Sequence, residues 1–120
     1  MSVAALSTAD CIRVSGGYDY EPRWLNGKPG LLGTVERFIP GQNAEPAVVV
    51  RLDGPITVEG YSGDILVLEL RNAGAKWDAK GTVHVELCSF PPESKPWSQR
   101  KRGKWVESHA SYERVESGAL

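Results

Sequence analysis

Residues 22–35 read Pro22-Arg23-Trp24-Leu25-Asn26-Gly27-Lys28-Pro29-Gly30-Leu31-Leu32-Gly33-Thr34-Val35, with three glycines and a proline directly ahead of an apolar run. Gly27, Gly30 and Gly33 are positions where the backbone can take positive φ or be approached closely. Pro29 fixes φ and gives up its N–H. A turn of this kind, running into Gly33-Thr34-Val35-Glu36-Arg37-Phe38-Ile39, is the way a small β-barrel leads into its second strand.

The flanks carry the same punctuation. Upstream, Cys11 to Ser15 alternates, with Ile12 and Val14 on one face, and Gly16-Gly17 ends the run. Downstream, Pro40-Gly41 signals a turn. Ala47 to Leu52 is apolar on both faces and reads as a central strand. Asp53-Gly54-Pro55 is expected to turn the chain into a short strand at Ile56-Thr57-Val58, broken by Gly60 and Gly63. Asp64 to Leu70 is the strongest core strand, with Leu66, Leu68 and Leu70 on one face and Ile65 and Val67 on the other.

Asn72 to Gly81 reads as a loop carrying Trp77. Thr82 to Cys88 alternates, with Val83, Val85 and Leu87 inward, and Phe90-Pro91-Pro92 stops it. A long polar loop is expected near residues 91–104. Residues 105–115 fit both helical and strand spacing, and their β-branched and aromatic content favours strand. Residues 1–9 are expected to be a flexible tail and residues 10–120 a single domain. Six or seven short strands in 120 residues, with little helix, imply an all-β fold, a small closed barrel or a sandwich. Closure handles the edge strands best in a chain this small.

Composition narrows the function classes. Net charge is −1, which argues against a wholly basic nucleic-acid binder. The charge is unevenly spread: residues 95–104 hold Lys95, Arg100, Lys101, Arg102 and Lys104 and no acid. Cys11 and Cys88 form no CxxC pair and are expected to be free, buried thiols. The first ten residues lack a secretory pattern, and no apolar run approaches the ~18 residues of a membrane helix. A reducing, cytoplasmic setting is expected.

Two surfaces stand out as candidate binding residues. Trp97, Arg100, Lys101, Arg102, Lys104 and Trp105 combine cations with aromatics, the pairing that neutralises phosphates and stacks on unpaired bases. The plainer reading, a solvated loop balancing an acidic body, is favoured. Tyr18, Tyr20 and Trp24, interleaved with Asp19 and Glu21, resemble the aromatic docking surfaces of peptide-binding modules. Here too partial burial at the barrel end is the favoured account.

No catalytic or metal signature emerges. His84, Glu86 and Cys88 share one strand face and are zinc-ligand types, but residues two apart on a strand splay by about 7 Å. They read instead as the polar outer side of a half-buried strand. His109 with Cys88 offers the residue types of a nucleophile–base pair, without a local pattern to join them. Gly27-Lys28-Pro29-Gly30 matches a bare GxxG clamp, but its flanks are extended rather than helical. No cofactor is implied.

The run Pro22-Arg23-Trp24-Leu25-x-Gly27-Lys28-x-Gly30, leading to Gly33-Thr34-Val35 and then to Ala47–Leu52, resembles the strand-leading motif of the SH3-like barrel in nitrile hydratase β-subunits. The likeness spans residues 22–52. The helical N-terminal part of such subunits has no counterpart here, and Pro29-Gly30-Leu31-Leu32 adds residues before the strand. The resemblance implies an SH3-like barrel. It implies no catalytic residues, because in that family the metal site belongs to the other subunit. The functional expectation is a non-catalytic barrel that binds a protein partner or self-associates. A nucleic-acid-binding barrel using residues 95–104 is the first alternative, and a small enzyme with an unrecognised site the second.

Overall fold

A computed structural model describes residues 6–16, 30–40, 45–58, 60–72, 74–90 and 103–115; for Gly16, Val58, Tyr61 and residues 103–109 the description is of the backbone alone. Among the described residues the chain is all-β. Six strands follow one another: β1 (Cys11–Gly16), β2 (Leu31–Ile39), β3 (Ala47–Val58), β4 (Tyr61–Leu70), β5 (Lys80–Cys88) and β6 (Gly103–Val115). Each pairs antiparallel with its sequence neighbour, and β6 returns to pair with β1, closing the barrel. Strand is therefore the correct state for residues 105–115, and β6 begins at Gly103, inside the span expected to be loop.

The alternation of apolar residues builds the interior. Ile12, Val14, Val35, Val48, Val50, Leu66, Leu68, Val83, Val85, Leu87 and Tyr112 are buried in one cluster. The five residues expected in the core, Leu66, Leu68, Val83, Val85 and Leu87, are all fully buried. The opposite faces of the central strands are also buried: Ile39, Ala47, Val49, Ile65, Val67 and Cys88 form a second apolar cluster. Two-sided burial explains why β3 and β4 read as continuous apolar runs rather than alternating ones.

Gly30, just ahead of β2, and Gly33, within it, both sit where the backbone is closely approached. Gly30 has φ +98°, and a Cβ there would lie 2.7 Å from the Val14 carbonyl oxygen. At Gly33 a Cβ would lie 2.6 Å from Val50 Cγ1, so β2 and β3 approach where a side chain would not fit. Gly27 lies outside the described residues.

Two expected breaks are corrected. Asp53-Gly54-Pro55 does not end β3. The pairing with β4 jumps from Arg51↔Ile65 to Ile56↔Gly63, an irregularity spanning these residues. Pro55 cannot donate to a ladder and Gly54 weakens one, so the segment bulges instead of turning. Gly60, with φ +85°, makes the β3–β4 turn, whereas Gly63 lies inside β4.

One end of the barrel is plugged. Trp77, in the β4–β5 connection, is buried, and its ring packs against Tyr112 at 5.3 Å between centroids. Trp77 Nε1 donates to the Pro46 carbonyl at 2.7 Å, and the Tyr112 hydroxyl donates to the Asp78 carbonyl at 2.7 Å. Both polar tips are thus satisfied while the rings fill the end of the core. Residues 1–5 of the expected tail lie outside the described residues. From Leu6 onward the segment is tied down: Leu6 is buried and donates to the Trp77 carbonyl at 3.1 Å, and Ala9 donates to Val35 at 2.8 Å.

Leu68→Ala is expected to destabilise the fold by about 2–5 kcal/mol in denaturant titration; a loss under about half a kcal/mol would contradict its burial. Burial pushes the Tyr112 phenol up to about 12. Between about pH 10 and that value the unfolded chain releases a proton that the folded chain keeps, so this group lowers stability as pH rises through that window. Tyr112→Phe should remove that part of the alkaline decline in equilibrium unfolding; an unchanged decline would contradict the assignment.

Candidate functional site

The antiparallel order divides the connections between two ends. The β2–β3 and β4–β5 connections share the Trp77 end. The β1–β2, β3–β4 and β5–β6 connections leave from the opposite end. Gly16 and Leu31 bracket the segment holding Tyr18, Tyr20 and Trp24; Cys88 and Gly103 are the strand ends on either side of the stretch holding Trp97, Arg100, Lys101 and Arg102. Those seven side chains lie outside the described residues. Lys104 and Trp105 are in β6, at the register positions opposite Leu87 and Glu86. Because β6 pairs with β1, the strands carrying both candidate sets are adjacent around the barrel.

The outer side of β5 differs from its expected polar character. Glu86 is 1% exposed and Cys88 is fully buried, beside the second apolar cluster. On β4, Glu69 is 3% exposed and stands directly across from His84. The correction has a simple cause. Alternation shows which residues share a face, but not whether that face meets water. Among the described residues no group of three His, Cys, Asp or Glu side chains is placed to hold a metal ion. Nor does the register bring Cys88 to His109: Cys88 sits opposite Gly103, six residues along β6, about 20 Å at strand rise.

Cys11 and Cys88 are both free and buried. Burial, with the Asp53 charge adding to it, pushes the Cys11 thiol up, away from the reactive thiolate.

A groove on the outer wall was not anticipated from sequence. It crosses β1, β6 and β5, encloses about 500 Å³, and is lined by Ser15, Lys80, Gly81, Thr82, Ser111, Tyr112 and Glu113. Register explains its make-up. Ser15 pairs with Ser111, and Ser111 with Thr82, placing three hydroxyl residues in one row across three strands. The next row is Arg13, Glu113 and Lys80. Gly81 and Tyr112 form the row between these two, and a Cβ at Gly81 would lie 3.0 Å from Tyr112 Cε1. Alternation along β1 and β6 could have placed Ser15 and Ser111 outward. Their alignment with Thr82 depends on strand register, which a single sequence does not state.

Elsewhere on the wall Arg51 bridges Glu36 and Asp64 at 3.3 Å each. These pairs are exposed and contribute little to stability. No helix among the described residues is long and apolar enough to cross a membrane. No known family model, curated protein or solved structure matches the chain.

Thiol titration should find two reactive thiols in denaturant and slow reaction of both in the native state. Immediate reaction of either native thiol would contradict its burial.

Proposed function

We propose that the chain is a non-catalytic β-barrel acting as a protein-interaction or self-association module, in which the barrel end opposite Trp77 meets the partner. The supporting observation is topological. Closure leaves no strand edge among the described residues for a partner to extend, and Trp77, Tyr112 and Leu6 fill one end. The connections bearing Tyr18, Tyr20 and Trp24, and those bearing Trp97 and the cations, depart from the other end. Aromatic anchors beside charges are what interface hot spots are made of. The SH3-like likeness over residues 22–52 agrees with this role, and two buried free cysteines agree with a reducing, cytoplasmic location.

A nucleic-acid-binding barrel is the second reading, favoured by the five cations gathered within residues 95–104. Sedimentation across a wide concentration range, together with cross-linking in cell extract, tests the first reading. A dimer or one reproducible partner is expected, weakened at least about tenfold by Trp24→Ala or Trp97→Ala with the fold intact. A monomer at every concentration, with no reproducible cross-linked partner, would overturn it. Micromolar binding to single-stranded DNA at physiological salt would establish the second reading instead. Arg100, Lys101 and Arg102 changed together to Ala should then abolish the binding and flatten its salt dependence by about 0.7 per lost phosphate contact.

A further inference from the structure

We propose that the groove across β1, β6 and β5 is a binding site for a phosphate-type oxyanion, separate from the barrel end invoked above. The inference rests on what hydrogen-bonding capacity remains once the internal partners are counted. Glu113, the acidic residue lining the groove, has Oε2 engaged by Arg13 Nη1 at 3.2 Å. Thr82 Oγ1 accepts from Asn72 Nδ2 at 3.3 Å, so its own hydrogen is left to donate. Ser15 and Ser111 face each other across β1 and β6 with rotatable hydroxyls, and Lys80 brings an ammonium with three donors. One oxygen of the groove's carboxylate is therefore paired with an internal cation, which offsets its charge, while among the described residues no internal acceptor takes the groove's ammonium or hydroxyl hydrogens.

A second observation points the same way. On β4's side of the hydroxyl row, the Arg71 backbone N–H donates to the Thr82 carbonyl at 3.3 Å, which places Arg71 next to Thr82. Its Nε is buried and lacks a hydrogen-bond partner. A buried donor without an acceptor is costly. The neighbourhood of the hydroxyl row thus holds donors in excess of their internal acceptors: Lys80, the row's hydroxyls and Arg71 Nε.

The fitting ligand is rich in acceptors, negatively charged and compact. Phosphate matches this: serine and threonine hydroxyls and a lysine point charge are common partners of its oxygens. The groove is open along the wall, so the phosphate can belong to a small molecule or to one position of a polynucleotide backbone.

The test is a titration of the whole protein, followed by amide chemical shifts, with inorganic phosphate at constant ionic strength and about pH 7.5, where phosphate is mostly the dianion. A second arm uses a short oligothymidylate and a third uses acetate. Saturable shifts are expected at Ser15, Lys80, Gly81, Thr82, Ser111 and Glu113. Lys80→Met should weaken phosphate binding about tenfold without changing the thermal midpoint. Ser111→Ala gives an independent check, since it shortens an exposed side chain without touching the core. A response to phosphate alone assigns a small phosphoester; a response to the oligonucleotide at the same residues assigns a polymer backbone. An equal response to acetate, shifts scattered over all Lys and Arg residues, or an unchanged affinity in both variants would overturn the proposal.

Discussion

Pairing of the first strand with the last holds this molecule together. β1 is six residues long, and it lies between β2 and β6, matched from Cys11↔Val115 to Gly16↔Ala110 on the β6 side. That seam joins residues about a hundred positions apart, so its loop-closure cost is met late and repaid by everything it encloses. Without it β1 and β6 would each expose an edge. With it Ile12 and Val14 are sealed against Tyr112 and Ala110, and the Arg13–Glu113 pair lies on the outside of the same seam. The three-hydroxyl row exists only because β1 and β5 flank β6.

Closure also limits how such a barrel can act. A partner has no described strand edge to add to, so recognition falls to the ends and the walls. Part of the wall is itself buried: β3, β4 and β5 place Val49, Val67, Glu69, Glu86 and Cys88 out of water. Burying a carboxylate costs free energy unless it is paired or protonated, and Glu69 and Glu86 both lie on this buried face. Around the barrel, β1 and β6 present serines and charges instead.

Much of this was legible in the sequence. Alternation at Cys11–Ser15 and Thr82–Cys88, and the leucines of β4, gave the strands and the core, because period-two burial leaves its mark residue by residue. Gly30 and Gly33 announced a tight approach that the backbone bears out. Long-range facts left no such mark. Trp77 lies in a polar loop, and only the arrival of Pro46 and Tyr112 makes it a plug. Asp53-Gly54-Pro55 carries turn chemistry, yet pairing on both sides holds β3 extended through a bulge. Glu86 looked solvent-facing because alternation cannot show what lies opposite a face. The groove was invisible for the same reason: Ser15, Thr82 and Ser111 are ordinary until register aligns them.

The most direct measurement of the closed barrel is a set of interproton contacts between β1 and β6 in solution. Cross-strand nuclear Overhauser effects should follow the ladder from Cys11↔Val115 through Val14↔Tyr112 to Gly16↔Ala110, with slow amide exchange at the paired positions of both strands. Exchange at unfolded-chain rates along β1, or contacts of β6 with β5 but none with β1, would show an open sheet and contradict this structure.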